Sequence, residues 1–395
     1  MDKRDPIVVS AVRTAIGDFG GGLRDVNQTE LASLVMGEVC RRVNFPKEEI
    51  NDVYWGTVMV RSDENGLARC AALNAGISMD ASAVQVNRAC CSSMEALRIA
   101  YMTIRLGEAD AVIAGGGESM SNVAYSVKGA RWGLRLQHSV FSDGVWDGLF
   151  DQHTGLLMGL TAENVAEEFH ISREEQDLFA FTSQMRAKKA LEGGRFKDEI
   201  VPVVLPGKRG EPDKVFDTDE HPRPATTLEA LARLQPAFKK GGTVTAGNSS
   251  GLNDGASAVL VVSRELADRL NLRRRWRIVG SAAVGVEPRI MGIGPIPAVR
   301  KIMRQTGYRI EDMQLIEMNE AFAAPCVAVE KELGLNRDIM NVNGGGIALG
   351  HPIGNTGCRL VVSLIHEMEK RGLERGLATL CGGGGNGQAI IVEKS

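Results

Sequence analysis

The sequence predicts an α/β protein of two duplicated βα halves, with mixed, mostly parallel sheets covered by helices and a cap (loop) domain inserted into the first half. Three observations carry this. Apolar strand-like runs alternate with amphipathic stretches. One order of elements occurs twice, roughly 260 residues apart, which is most economically a duplication. One hairpin of the first copy is interrupted by about 130 residues of different character.

Ile7 to Val12 reads as a strand, Thr29 as the N-cap of a helix with Leu31, Leu34, Val35 and Val39 on one face, and Val53-Tyr54-Trp55 as the opening of the next strand. The second copy repeats the order. Arg277 to Ala282 matches the first strand, Ile296 to Arg304 the helix, and Ile310 to Met313 echoes Ile50 to Val53. The same offset sets Cys90 opposite His351, each between a buried strand and a following helix. Ala111 to Gly115 corresponds to Ala378 to Cys381, but only the latter continues through a short Gly hairpin into Gln388 to Val392. The equivalent strand of the first copy is Ala256 to Val262. The chain therefore divides into residues 1–117 and 251–270, an inserted cap of 118–250, and 271–395. The cap carries amphipathic helices near Thr161 to Phe169 and Arg173 to Leu191, then a Pro- and Gly-rich stretch from Pro202 to Pro224, and reads as a cover over a site.

At 395 residues with 44% apolar content, the chain can bury large cores. Lys plus Arg number 46 against 49 Asp plus Glu, and aromatics are only 5%, so neither the electrostatic footprint nor the stacking surface of a nucleic-acid binder is present. The one basic cluster, Arg273 to Arg277, directly precedes a strand and reads as its solvated entrance. Seven cysteines without paired spacing argue against a disulfide framework and for a reducing compartment, and no Cys-x-x-Cys pair suggests a metal. The N-terminus leads straight into a strand, and no run reaches the roughly 18 apolar residues of a membrane span, so a cytoplasmic location is expected.

Two thiols stand out. Cys90, in Val86-Asn87-Arg88-Ala89-Cys90-Cys91-Ser92-Ser93, falls at a helix start, where the macrodipole and unpaired N–H groups favour thiolate. Cys381 heads a run of four glycines. His351 lies in a glycine-rich loop beside Pro352, whose backbone can approach a ligand closely. Asn319, in Glu317-Met318-Asn319-Glu320-Ala321-Phe322, is either a helix N-cap or an amide that orients water or donates to an oxyanion. Thr245 to Gly255 is a further glycine- and asparagine-rich segment.

Together these motifs, with Gly159 to Asn164 and Met291 to Pro295, resemble the thiolase family in type and order over nearly the whole chain. The resemblance implies a thiolase-like fold and an acyltransferase that cleaves 3-oxoacyl-CoA to acetyl-CoA and a shortened acyl-CoA, as in β-oxidation of fatty acids, or runs the reverse condensation. It implies Cys90 as nucleophile, His351 as the group that generates its thiolate, and Cys381 as second acid/base. His351 with a water held by Asn319 would serve one oxyanion, and the backbone N–H groups of Cys90 and Gly383 the other. For CoA it implies Arg223 toward the nucleotide, Phe238 and Ser250 along the pantetheine, and Met158, Met291 and Phe322 lining the tunnel, although both methionines also fit as core fillers and Arg223 as a solvated charge. No tightly bound cofactor and no metal are implied. CoA and acyl-CoA are the expected partners, with a homodimer or homotetramer, and a complex with another acyl-CoA pathway enzyme is left open.

The chain departs from the small-substrate branch of that family, which carries His immediately before Met-Gly: Leu157 stands there, as in the degradative branch, with His153 near enough to fold back into the same space. Cys91 and Ser93 replace commoner glycines and would add bulk beside the acyl group. Trp132, Phe141, Trp146 and Phe150 either face an acyl tail or pack the cap or an oligomer interface. A biosynthetic acetoacetyl-CoA thiolase, a non-catalytic acyl-CoA-binding subunit and a cysteine hydrolase are the competing readings.

Overall fold

Residues of the first strand, β1 (Pro6–Thr14), are all buried, and they alternate between two apolar cores with a register shift between Val8 and Ser10: Ile7, Val9 and Val12 enter one, Val8 and Ala11 the other. A strand with no polar face needs cover on both sides. The computed structural model describes residues 2–207, 210–273 and 276–395 and supplies that cover in stacked layers.

The first copy runs β1, α1 (Gln28–Arg41), β2 (Asp52–Gly56), α2 (Leu67–Asn74), β3 (Ser82–Val86), α3 (Ser92–Leu106) and β4 (Ala111–Ser119). The principal helices of the intervening stretch are α4 (Met158–Glu168) and α5 (Arg173–Glu192), after which β5 (Asn253–Ser263) follows. The second copy runs β6 (Trp276–Gly285), α6 (Pro295–Thr306), β7 (Leu315–Met318), α7 (Ala323–Leu333), α8 (Thr356–Arg371), β8 (Arg375–Gly382) and β9 (Asn386–Lys394). The strands lie in the order β7-β8-β9-β6-β1-β5-β4-β2-β3. Pairing is parallel for β2–β3, β2–β4 and β7–β8, where helices make the crossovers, and antiparallel for β1–β5, β5–β4, β6–β9 and β8–β9. The two copies meet at β1 and β6 through Ile7↔Arg277 and Val8↔Trp276 alone. Helices α1 and α2 cover one outer face and α6 and α7 the other, while α3 and α8 fill the layer between.

That middle layer is the centre of the fold. Leu360, Val361, Val362, Leu364, Ile365 and Met368 of α8 are wholly buried in it, each contributing roughly 1.5–3 kcal/mol by removal from water. The first turns of α3 and α8 touch: a Cβ on Gly357 would lie 2.6 Å from the Met94 backbone nitrogen. Ser93 fastens the contact, its hydroxyl donating to Asn355 O (2.9 Å) and accepting from Cys358 N (2.9 Å). Both catalytic-looking loops therefore issue from one helix pair.

Two expectations need correction. Asn27, not Thr29, caps α1, in a reciprocal capping box with Glu30, because the chain turns helical one residue after Asn27. The strand expected before His351 is reduced to one bridge, Ile316 to Met340, because Asn341 directly after it turns into the left-handed region at φ +46°. Of the basic cluster, Arg274 and Arg275 lie outside the described residues, and Arg277 pairs with Glu393 at 2.8 Å. Among the described residues no helix is long and apolar enough to cross a membrane.

Candidate active site

Between β3 and α3 the chain must reverse in five residues, and it does so with Ala89 at φ +47°, a left-handed conformation that costs a residue with a Cβ about 1–2 kcal/mol. Local hydrogen bonds hold it: Asn87 Oδ1 accepts from Ala89 N (3.0 Å), and Ser92 Oγ accepts from Arg88 N (2.9 Å) while donating to Ala89 O (2.6 Å). This turn leaves Cys90 half-buried just ahead of α3. Burial pushes its thiol up to about 11, against the backbone N–H groups of Gly383 and of Cys90 itself, which pull it down, with the Glu118 charge adding to the rise. The helix start was expected to favour thiolate; desolvation outweighs it.

His351 comes from the loop before α8, its N–H donating to Asn253 Oδ1 at 2.9 Å. The imidazole Nδ1 lies 2.6 Å from Thr356 Oγ1, whose own proton goes to Pro352 O at 2.9 Å. Thr356 is thereby the acceptor, Nδ1 carries the hydrogen, and Nε2 keeps its lone pair. Burial, reinforced by the Arg359 cation, lowers the imidazole pKa to about 3, so the ring is neutral at physiological pH. Asn319, just past β7, has its Nδ2 3.4 Å from Nε2, and its Oδ1 has no protein partner among the described residues. Phe322, not Asn319, occupies the N-cap of α7, so the capping alternative for Asn319 falls away.

Cys381 sits near the end of β8, paired with Gly387 across the β8–β9 hairpin and 5% exposed. Burial, and secondarily Cys90, push its thiol up to about 12. Cys90, His351 and Cys381 line a single cavity of ≈ 450 Å³, together with Met158, Phe238, Ser250, Met291 and Phe322. Phe238 and Phe322 meet edge to face with centroids 6.0 Å apart, and Ser250 N donates to Ala321 O at 2.9 Å, forming one wall.

Other named residues lie elsewhere. Arg223 is exposed and outside the cavity lining: its Nη2 donates to Asp18 Oδ2 at 2.9 Å and its N–H to Gln184. Cys91 and Ser93 are fully buried and neither lines the cavity. His153 is exposed, its amide turned to Asp151, and does not enter the cavity. Trp132 and Phe141 are exposed; of the four aromatics only Trp146 lines the cavity, with Phe150 edge-on to it at 5.6 Å.

Sequence reasoning missed Thr356, Asn253 and Glu118, which orient the loops, and Val145, Leu149 and Ile353, which wall the cavity beside Cys90. Glu118 had a readable signal, a carboxylate ending a buried strand; the others look like ordinary helix or loop residues. Among the described residues no group of three or more His, Cys, Asp or Glu side chains is placed to hold a metal.

Comparison with known proteins gives concordant results. The family model "Thiolase, N-terminal domain" matches residues 6–265, and "Thiolase, C-terminal domain" matches 272–394. An acetyl-CoA acetyltransferase of Syntrophomonas wolfei is 49% identical over 395 residues, covering 99% of each chain. The crystal structure of the Bacillus anthracis acetyl-CoA acetyltransferase superposes with a TM-score of 0.97 at 48% identity, covering 99% of each chain. Human mitochondrial 3-ketoacyl-CoA thiolase in complex with CoA superposes with a TM-score of 0.94 at 39% identity, covering 100% of this chain and 98% of that one.

Proposed function

The chain belongs to the thiolase family, and on that premise we propose that it is an acyltransferase that cleaves 3-oxoacyl-CoA with CoA, or condenses two acyl-CoA molecules in reverse. The reading rests on one observation: two thiols and an imidazole, drawn from both copies of the repeat, line the same cavity.

In the thiolytic direction Cys90 Sγ attacks the C3 carbonyl while its proton passes to His351 Nε2, the nitrogen left free by the Thr356 bond. The oxygen at C3 gains charge against the N–H groups of Cys90 and Gly383, the same groups that pull the Cys90 thiol pKa down. Breaking the C2–C3 bond leaves the electron pair on the acetyl-CoA enolate. Its oxygen faces the newly protonated Nε2, with the unpartnered Asn319 Oδ1 as acceptor for a bridging water. Cys381 gives its proton to C2, and acetyl-CoA leaves. A second CoA, giving its thiol proton to Cys381, then attacks the Cys90 thioester; the acyl–Sγ bond breaks, Cys90 Sγ takes back the proton held at His351 Nε2, and the shortened acyl-CoA departs.

For the acyl group, Val145, Leu149, Leu157 and Ile353 leave apolar space beside Cys90, which favours 3-oxoacyl chains longer than acetoacetyl and a degradative, β-oxidation role. The competing small-substrate reading is favoured by the names of relatives such as the S. wolfei acetyltransferase. Arg223, exposed and bonded to Asp18, is the proposed contact to the CoA nucleotide. A homo-oligomer completes the proposal.

Incubation with acetyl-CoA and intact mass measurement tests it. An acetyl mass gain, absent in Cys90→Ala, is expected; no adduct with any acyl-CoA would instead mark a binding subunit. Rates across C4 to C10 3-oxoacyl-CoA decide chain length, and a sharp maximum at acetoacetyl-CoA would overturn the degradative assignment.

A further inference from the structure

Cys90 and His351 sit on loops from different copies of the repeat, which pair in the sheet through only two residue pairs at β1 and β6 and pack through α3 and α8. Those contacts hold the helices; the loops themselves need a tie of their own. Glu118, next to last in β4 and completely buried, bridges the gap. Its Oε2 accepts from Val58 N and from Gly354 N, both at 3.0 Å; its Oε1 accepts from Met59 N at 3.0 Å and from Thr57 Oγ1 at 3.5 Å. Gly354 is three residues beyond His351, whereas Thr57 to Met59 belong to the first copy.

The bonds continue to the other side. Val58 O accepts from Asn87 Nδ2 at 3.3 Å, and Asn87 Oδ1 accepts from Ala89 N at 3.0 Å, the strained residue that presents Cys90. Ordered from end to end, the chain of contacts is His351 loop, Glu118, Val58, Asn87, Ala89. The fit is close: a Cβ on Gly354 would lie 2.7 Å from Glu118 Oε2 and 2.6 Å from Gly117 O, so only glycine lets its N–H reach the carboxylate. All hydrogen-bond partners of Glu118 among the described residues are uncharged. A carboxylate buried without a cation is costly, and burial pushes this one up to about 7. An apolar side chain would leave Val58 N, Met59 N and Gly354 N without an acceptor, so hydrogen bonding rather than packing accounts for a glutamate here.

We propose that Glu118 is a positioning residue for acyl transfer: by accepting N–H groups from both copies of the repeat it sets the Cys90–His351 separation. This rests on the assignment of Cys90 as nucleophile and His351 as base. Span, not charge alone, is the claim. Glu118→Asp keeps the charge but retracts it from Gly354 or from Val58, whereas Glu118→Gln keeps the reach and faces N–H donors with an amide.

The experiment follows Cys90 acetylation by acetyl-CoA over time by intact mass, with kcat and KM for CoA in parallel and circular dichroism as the folding control. Both variants are expected to acylate about 10²-fold more slowly and to lose kcat correspondingly, with KM for CoA within about twofold of the parent. Wild-type acylation in either folded variant, or a change confined to KM or to thermal stability, overturns the proposal. If Glu118→Gln does not fold, Glu118→Asp decides alone by the same criterion. Should the parent protein itself never gain an acyl group on Cys90, the nucleophile assignment fails instead, which is a distinguishable result.

Discussion

Burial governs the two thiols and the imidazole alike, and it holds all three neutral at rest: Cys90 at about 11, Cys381 at about 12, His351 at about 3. Burial thus disfavours a resting thiolate–imidazolium pair and favours proton transfer accompanying attack. Alkylation of Cys90 by iodoacetamide should rise about tenfold per pH unit through the neutral and alkaline range; a plateau below pH 9 would show a preformed thiolate. Cys381→Ala should still take an acetyl group onto Cys90 yet lose roughly 10²–10⁴ in turnover, and failure to acylate would assign Cys381 to the first step. The motifs around Cys90, His351, Asn319 and Cys381 were visible in the sequence because each is a short run of unusual composition. Their protonation states were not, since neighbours such as Arg359 and Glu118 reach them only through the fold.

Strands were legible where an apolar run was unbroken, as in β5 and β9, and helices where the apolar period was strong, as in α6. Boundaries failed where a side chain decided them: the Asn27 capping box displaced the α1 start, and substitution Asn27→Ala should cost about 1 kcal/mol in a chemical melt. The α3–α8 contact is the more demanding element. Gly357→Ala would drive a methyl into the Met94 backbone, and a loss of about 1–3 kcal/mol is expected with reduced acylation of Cys90, because both loops ride on these helices. Full stability in that variant would show that the helices can part without consequence. Ser93 illustrates what local reading misses: a residue placed beside the acyl group by its sequence neighbour is in fact a peg between helices.

Across the whole molecule, the middle layer makes both copies one cooperative unit. Residues 272–394 expressed alone would expose the α8 face that α3 covers, and an uncooperative melt of that fragment is expected. Acid stability follows from His351. Its pKa in the fold lies below the usual 6.5, so the unfolded chain binds a proton that the folded one refuses; the stability it contributes is complete above pH 6.5 and is lost as pH falls toward 3. The difference in melting temperature between the parent and His351→Asn should shrink between pH 7 and pH 4, and a constant difference would place the ring's acid titration outside the unfolding equilibrium. What the sequence determined by itself is the α/β class, the repeated order of elements and the identity of the reactive side chains, all of which are written in local period and composition. Only the tertiary structure decided which of those side chains share a cavity, which way His351 holds its proton and how a buried carboxylate ties the two loops together. Desolvation and hydrogen-bond geometry are sums over residues far apart in the chain.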